Sequence, residues 1–368
     1  MSDTSVAEIP SGSGCRKNRQ QRGQQVKGRR QEKSDPQHKQ KQKERQKIMI
    51  FFSGKKHNIS TLLSLSISVL IIFSTVLFTS CSKEETDKWL NEIFGMLNYE
   101  VFGDNIDGEA KLKMHVIDIG QGDSLLIQCG ESNVLIDCGE NGMGDAVLDY
   151  LHRAGVSHLD WIIGTHPHSD HIGGMDTVIK SDELSIDHVM MPQLPKTMTP
   201  TTVTYTDVLK AIKKKNLKIT RPVPGTEYNF DGVTMLVLSP EKNAKYEELN
   251  DYSIVLKFTY KDVSVLTGGD ASKLIERQLI TLDYDLSADI YKVSHHGGKD
   301  GNSQEYLSEI NPRYAAISVG ENNKYGHPKN EVLKRLDKLG CEIFRTDLDG
   351  DIVFETDGRN ISVIVSKQ

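Results

Sequence analysis

The chain has 368 residues, which is enough for one large domain or two smaller ones, and its formal net charge is −6. Residues 1–56 carry 15 Lys or Arg and 5 Asp or Glu, whereas the rest of the chain has a net charge of −16. This acidic remainder disfavours long nonspecific contact with polynucleotide, because such affinity comes from Lys and Arg at the phosphates. The five cysteines have no paired spacing, which argues against a disulfide framework or a structural zinc site.

The N-terminal region, residues 1–56, is predicted to be a disordered basic tail. Residues 1–48 are rich in Gln, Lys, Arg and Ser, and this composition cannot bury enough apolar surface to fold. The tail can bind nucleic acid or an anionic membrane, or stay solvated. Met49 is an alternative start of the chain, in which case the tail is not translated.

A membrane segment is predicted at residues 57–82, which contain no Asp, Glu, Lys or Arg. Basic residues ahead of it predict a cytoplasmic N-terminus, so the rest of the chain is expected outside a bacterial cell membrane. Phe78-Thr79-Ser80-Cys81 is similar to a lipoprotein signal, in which Cys81 is lipidated. An uncleaved anchor and a lipoprotein both predict a membrane-tethered, extracytoplasmic domain.

Residues 83–110 are predicted to be a linker with one helix around Trp89–Leu97, and residues 111–368 a single α/β domain. Apolar runs bounded by glycine predict strands, and amphipathic runs predict helices. The predicted strands are Met114–Ile119, Ser124–Cys129, Asn133–Cys138, Leu159–Thr165, Asp187–Met191, Val233–Leu238, Ser253–Thr259, Val263–Leu266, Ile290–Ser294, Tyr314–Val319, Glu342–Arg345, Ile352–Glu355 and Ile361–Val365. The predicted helices are Asp145–Arg153, Thr204–Lys215, Gln304–Ile310 and Asn330–Leu339. Two sets of strands with helices outside predict an αββα four-layer sandwich.

Four potential metal ligands follow the predicted strand Leu159–Thr165 within six residues. They are His166, His168, Asp170 and His171. Imidazole and carboxylate donors together suit zinc or similar first-row metals. Four such ligands are too many for one open catalytic zinc, so the loop predicts a part of a site for two adjacent metals.

Further candidate ligands follow other predicted strands. Asp270 comes after Gly268 and Gly269, His295 and His296 end the strand from Ile290, and His327 lies beyond Tyr314–Val319. A lone histidine or turn aspartate is usually structural. Because the same pattern recurs at four strand ends, these residues are predicted to complete the metal site.

These motifs resemble those of the metallo-β-lactamase-fold hydrolases, and within them the extracytoplasmic domain of the ComEC-type competence proteins. The related choline-phosphate esterases of cell-wall teichoic acid share the pattern. The resemblance covers Lys111 to the C-terminus. It rests on the His166–His171 loop and on the motifs Val116–Ser124, Leu135–Gly139, Leu266–Asp270, Lys292–Gly297, Ser318–Gly320 and Gly326–Pro328.

The resemblance implies the αββα fold and two zinc ions, with manganese or iron as alternatives because the donors do not choose among these metals. The implied ligands of the first metal are His166 and His168, and those of the second are Asp170 and His171. Asp270 is implied to bridge the two metals. His295 or His296 would complete one site, and His327 would complete the other. Asp137 is expected to support the metal loop from behind. His168 stands where ComEC domains often have Asp, which favours a fully loaded site.

Two such metals would lower the pKa of a bridging water, and the resulting hydroxide would attack a phosphoryl or acyl centre. Asp170 is expected to assist proton transfer and Lys292, beside the histidine pair, to contact a substrate phosphate or to lie solvated at a strand edge. The predicted function is a phosphodiesterase that cleaves DNA or a choline-phosphate-type wall polymer. A single membrane segment argues against DNA uptake by this chain, and no stable protein partner is expected. Hydrolysis of another ester or amide, a non-catalytic binding module and an iron redox enzyme are the alternatives.

Overall fold

The computed structural model describes residues 99–103, 111–282 and 284–366. The predicted basic tail, the membrane segment at 57–82, Cys81 and the helix around Trp89–Leu97 lie outside the described residues. Within the described part of the chain, none of the helices combines the length and the apolar character needed to cross a bilayer.

The first sheet has nine strands in the order β1-β16-β15-β2-β3-β4-β5-β6-β7. Its strands are β1 (Tyr99–Gly103), β2 (Leu112–Val116), β3 (Leu125–Cys129), β4 (Ser132–Ile136), β5 (His158–Ile163), β6 (Ser185–Met190), β7 (Ile219–Thr220), β15 (Ile352–Thr356) and β16 (Ile361–Ser366). The pairs from β4 to β7 are parallel, and the remaining pairs are antiparallel.

The second sheet has seven strands in the order β14-β13-β12-β11-β10-β9-β8. Its strands are β8 (Glu227–Phe230), β9 (Val233–Ser239), β10 (Val255–Tyr260), β11 (Val263–Thr267), β12 (Ile290–Lys292), β13 (Tyr314–Ile317) and β14 (Glu342–Arg345). The strands from β11 to β14 are parallel to one another. Every residue of β11 and β12 is buried, as expected for inner strands covered on both faces.

Helices cover the outer face of each sheet. They are α1 (Gly144–Arg153), α2 (Ser169–Ile172), α3 (Met175–Lys180), α4 (Val203–Lys214), α5 (Lys273–Thr281), α6 (Gln304–Ile310), α7 (Asn330–Lys338) and α8 (Thr346–Asp349), with 3₁₀ turns at Leu249–Tyr252 and Ser294–Gly297. Three of them begin at a Thr or Ser whose hydroxyl accepts a backbone N–H, namely Thr202, Ser272 and Ser303.

Three apolar clusters hold the layers together. One lies between the sheets and contains Ile127 of the first sheet and Phe258 of the second. Another packs α1, α3 and α4 against the first sheet, and the third packs α5, α6 and α7 against the second. This arrangement is the predicted αββα sandwich.

Two parts of the sequence-based organisation need correction. Residues 99–103 were predicted as linker, but they form β1, which pairs with β16 along the edge of the first sheet. Helix α5 and the edge strand β8 were not predicted. Strand β8 has only one buried residue, Phe230, so its sequence lacks the apolar alternation from which strands are recognised. The three cysteines of the described domain are buried and free, as expected.

The loops that hold the candidate metal ligands and Asp137 follow the carboxyl ends of parallel strands. These strands are β4 and β5 in the first sheet and β11, β12 and β13 in the second. A backbone hydrogen bond connects the two sheets at this edge: Ile254 N, just before β10, donates to Thr165 O at 3.0 Å. Side chains at the ends of parallel strands meet at one sheet edge, which is where α/β folds usually bind ligands.

Burial of His115 makes stability depend on pH. Its imidazole bonds Tyr150 Oη on α1 and Gln128 Oε1 on β3, both at 2.9 Å, and burial, with help from Lys113, lowers its pKa to about 4. The unfolded chain protonates His115 near pH 6.5, so it binds more protons than the folded chain between pH 6.5 and 4. The free energy of unfolding should therefore decrease as the pH falls from 6.5 to 4, and His115 should account for up to about 3 kcal/mol of this decrease.

Urea unfolding of the wild type and of His115→Gln at pH 7, 6 and 5 tests this prediction. The variant should lose less free energy of unfolding than the wild type as the pH falls. Equal losses in the two proteins would contradict it.

Candidate metal centre

The loop after β5 brings its four predicted ligands to one place. His166 and His168 precede α2, and His166 Nε2 lies 3.1 Å from His168 Nδ1. Asp170 and His171 lie in the single turn of α2. His166 and His171 are fully buried, whereas His168 and Asp170 are partly exposed, so one side of the cluster is accessible.

Asp270 stands at the centre of the cluster, at the end of β11. Its Oδ1 lies 3.2 Å from His171 Nε2 and 3.8 Å from His296 Nε2. Its Oδ2 lies 3.8 Å from His166 Nε2 and 3.7 Å from His295 Nε2. Each carboxylate oxygen therefore faces its own pair of imidazoles, which is an arrangement that can bridge two metal ions.

His295 and His296 both face Asp270, although only one of them was expected to serve as a ligand. They lie in a 3₁₀ turn and have left-handed φ values of 52° and 51°. This backbone sends the two imidazoles to different oxygens of Asp270. His296 Nε2 also lies 3.5 Å from Asp170 Oδ2, and its Nδ1 bonds the carbonyl oxygen of Ser318 at 2.9 Å.

His327 lies at the rim of the cluster. Its ring centroid is 5.6 Å from that of His295 and 6.4 Å from that of His296, with which it is stacked. Partial burial and the neighbouring charges of His295, His296 and Lys329 lower the pKa of His327 to about 4. The imidazole is therefore neutral at neutral pH, the form that binds metal.

Unpartnered polar atoms support a metal at this position. His171 Nε2, His296 Nε2 and Asp270 Oδ1 are buried and have no hydrogen-bond partner among the described residues. Leaving such atoms unpaired costs free energy, so their convergence on a common centre fits divalent ions held by imidazole and carboxylate. Candidate ligand atoms of His166, His171 and Asp270, and of Asp170, His171 and His296, lie within 4.8 Å of one another.

The pKa values of the buried histidines in the cluster are shifted in opposite directions. Burial acts to lower the pKa of His171, but the carboxylates of Asp270 and Asp137 raise it well above its usual range. The pKa of His296 is raised to about 9 against burial by Asp270 and Asp123. Burial dominates at His166 and lowers its pKa. Metal binding at neutral pH must therefore displace protons from His171 and His296.

Asp137 lies behind the loop, in the position expected for it. Its Oδ2 accepts hydrogen bonds from His171 Nδ1 at 2.7 Å and from Thr165 Oγ1 at 2.6 Å, and its Oδ1 accepts one from Thr165 N at 2.8 Å. The bond to His171 Nδ1 leaves Nε2 of the same ring free to face Asp270. Asp137 thus orients one imidazole through a direct contact.

Lys292 does not occupy either of the positions expected for it. It is fully buried at the end of the inner strand β12, and its Nζ lies 2.8 Å from Asp123 Oδ1 and 2.9 Å from Asp123 Oδ2. Its side chain is fully buried and paired with Asp123, so it is neither solvated nor presented to a substrate. Contact with a substrate phosphate was therefore a wrong prediction.

Asp123 is a residue of the site that sequence reasoning did not single out. Its Oδ1 lies 3.4 Å from His296 Nδ1, and its backbone N–H donates to Asp170 O at 3.0 Å. The preceding Gly122 has φ +136°, and a Cβ there would collide with the carbonyl oxygen of Asp170. The Gly122-Asp123 pair, present in the Val116–Ser124 motif, is the signal that could have identified this contact.

Comparison with known proteins agrees with this geometry. Residues 117–321 match the family described as the metallo-beta-lactamase superfamily. The chain belongs to the metallo-beta-lactamase superfamily. Its fold accordingly carries a site for divalent metal, and the clusters around Asp270 are the candidate ligands.

Individual relatives confirm the resemblance to ComEC-type proteins. This superfamily member is 29% identical over 269 residues to ComE operon protein 3 of Bacillus subtilis, covering 67% of this chain and 33% of that protein. It is 27% identical over 248 residues to Competence protein ComA of Neisseria gonorrhoeae, covering 67% and 32%. The chain thus spans about one third of the length of these curated relatives. The metallo-beta-lactamase fold protein YhfI of B. subtilis aligns over 67% of this chain and 100% of its own, with 15% identity and a TM-score of 0.44.

Asp137→Ala should weaken metal binding in this metallo-beta-lactamase superfamily chain. Without the carboxylate, His171 loses its orienting partner, and losses of this kind reduce metal affinity by about 10- to 100-fold. Competition with a chromogenic chelator measures the affinity. Asp176→Ala, at a partly exposed carboxylate of α3 that pairs with Lys180, serves as the control, and an Asp137→Ala affinity equal to that of the control would contradict the prediction.

Proposed function

We propose that the chain is a membrane-tethered, extracytoplasmic phosphodiesterase with two divalent metals, zinc or, as alternatives, manganese or iron. The observation that carries the proposal is the carboxylate of Asp270, whose two oxygens face separate pairs of histidines. Two-metal sites of this kind suit displacement at phosphorus, where both the attacking and the leaving oxygen need stabilisation. Residues 57–82, which lack charged side chains, support the membrane tether.

The substrate is proposed to be DNA or a choline-phosphate-type wall polymer. The net charge of −16 after residue 56 disfavours extended contact with a polyanion. Cleavage is therefore proposed to depend on local contacts around the metal site.

The side chains of the site have separate roles in this proposal. When bound, the two metals supply Lewis-acid charge and lower the pKa of coordinated water. Asp137 and Asp123 hold His171 and His296 in their orientations. Asp170 is partly exposed, and His296 and His171 lower its pKa against the effect of burial, so its carboxylate is ionised at neutral pH. Its role in this proposal is to assist proton transfer.

A metal-dependent activity screen tests this proposal. The full-length chain in detergent, loaded with Zn²⁺ or Mn²⁺, is offered bis-p-nitrophenyl phosphate, single-stranded DNA, p-nitrophenyl phosphorylcholine and nitrocefin. Hydrolysis of at least one phosphodiester, lost on chelation and in Asp170→Ala, is the expected result. Asp182→Ala, a change at an exposed carboxylate, is the matched control.

The other outcomes separate the alternatives. Two bound metals without hydrolysis of any substrate would identify a binding module. Hydrolysis of nitrocefin alone would identify an amide hydrolase, and redox activity of an iron-loaded form would identify an oxidoreductase. Each of these results overturns the phosphodiesterase proposal.

A further inference from the structure

Tyr325 is an exposed aromatic residue directly beside the metal site. Its side chain lies in the loop after β13 and is stacked on His327, with ring centroids 5.7 Å apart and an interplanar angle of 26°. Tyr325 is 45% exposed, and it is the only aromatic among the exposed large hydrophobic residues of the described part of the chain. Since His327 is in turn stacked on His296, a line of rings leads from the metal cluster to solvent.

The loop that carries Tyr325 is held in place by side-chain hydrogen bonds. Asn323 Nδ2 donates to Gly320 O at 3.1 Å and to His327 O at 2.7 Å, and Asn323 Oδ1 accepts from His327 N at 3.0 Å. Lys329 Nζ donates to Tyr325 O at 2.6 Å. The position of Tyr325 relative to His327 is therefore set before any ligand arrives.

Two lysines lie beside Tyr325, although the chain after residue 56 has a net charge of −16. Lys324 Nζ lies 5.0 Å from the centre of the Tyr325 ring, and Lys329 Nζ bonds the backbone carbonyl oxygen of Tyr325. A cation already beside the ring opposes a second cation, so this aromatic residue is poorly suited to a quaternary ammonium. It is suited to a neutral planar ring that is attached to an anionic group.

We infer that Tyr325 is the specificity-determining residue of the site: it stacks on a planar base next to the scissile phosphate, while Lys324 and Lys329 face the phosphate charge. This inference rests on the proposed phosphodiesterase function and chooses between its two substrate classes, favouring a nucleotide-type diester over a choline phosphate. A base stacked on an aromatic ring contributes more binding free energy than the contact between a surface ammonium and the same ring. The base can therefore displace Lys324 from the ring without a net loss of binding free energy.

Cleavage of two matched dinucleotides tests the role of Tyr325. The metal-loaded full-length chain is given the thymidine dinucleotide and the same dinucleotide with one base removed. The wild type should cleave the complete dinucleotide with a kcat/KM about 10-fold higher, mainly through KM. Tyr325→Leu should abolish this preference, and Tyr325→Phe, which keeps the ring, should retain it.

Two results of this assay would overturn the inference. If Tyr325→Leu lowers kcat/KM equally for both dinucleotides, Tyr325 acts on His327 and the metals rather than on the base. A preference that survives in Tyr325→Leu would place the base elsewhere. The metal content of each variant, measured by mass spectrometry, shows whether the site itself is intact.

Equilibrium binding separates this inference from the proposed function. Calorimetry with thymidine 5′-monophosphate and with phosphorylcholine should give tighter binding of the nucleotide, by about 10-fold, to the wild type and not to Tyr325→Leu. Lys324→Gln should reduce the difference in affinity between the nucleotide and phosphorylcholine. If no diester is cleaved but this binding pattern is found, the phosphodiesterase proposal fails and the stacking site stands. If phosphorylcholine binds as tightly as the nucleotide, the stacking site fails whether or not diesters are cleaved.

Discussion

Asp270→Asn is expected to remove metal-dependent activity, with a loss of at least about 10³-fold in kcat. The substitution keeps the size of the side chain but removes its negative charge. The imidazoles of His166, His171, His295 and His296 then surround a neutral amide, and one of the two oxygens that face them becomes an NH₂ group, which cannot bind a cation. We therefore expect metal content to fall to at most one ion per chain.

Metal content by mass spectrometry and activity against bis-p-nitrophenyl phosphate measure this effect. Asp285→Asn makes the same chemical change at an exposed carboxylate that pairs with Lys257, so it should retain wild-type values in both assays. Asp270→Asn protein with the wild-type metal content would show that Asp270 is not the bridge between the metals.

Lys292→Met is expected to be the most destabilising of the substitutions considered, at about 3–5 kcal/mol in the free energy of unfolding. Asp123 is buried, and in the folded chain Lys292 and His296 lower its pKa against the effect of burial. Removing the lysine leaves this carboxylate inside the protein without its main partner. Urea unfolding of the metal-free chain measures the loss.

Two further variants make the result interpretable. Lys292→Met combined with Asp123→Leu removes both charges and should recover most of the lost stability. Lys257→Met is the matched control: Lys257 on β10 is also buried, but its partner Asp285 is exposed, so water solvates that carboxylate once the lysine is removed and the cost should be smaller. A cost for Lys292→Met as small as that of the control would refute the argument from burial.

Much of the fold could be predicted from the sequence because its inner strands are apolar runs that end at glycines. The five residues of β11 are all buried, and Gly268 and Gly269 follow them closely. The edge strands were harder, since β8 has one buried position and β7 only two residues. Short pairings at a sheet edge depend on tertiary contacts more than on local pattern.

The candidate site was predictable in position and less so in detail. Candidate ligands at successive strand ends, such as His166 and Asp270, indicated that they would meet at one edge of the sandwich. The sequence could not show that a left-handed backbone turns both His295 and His296 towards Asp270. It also could not show that Lys292 pairs with Asp123, which lies 169 positions earlier in the chain.

The ligands around Asp270 come from two separate stretches of the chain. His166 and His171 follow β5 of the first sheet, whereas Asp270 and the His295–His296 pair follow β11 and β12 of the second. Metal held by both stretches would join the two sheets as a reversible cross-link across the 99 positions from His171 to Asp270. Because such ions would bind the folded chain and not the unfolded one, they would stabilise folding by mass action, by about 2.7 kcal/mol at a free metal concentration of 100 times Kd. The described cysteines of this domain are all free, so bound metal would supply a cross-link between the two sheets that no disulfide among them provides.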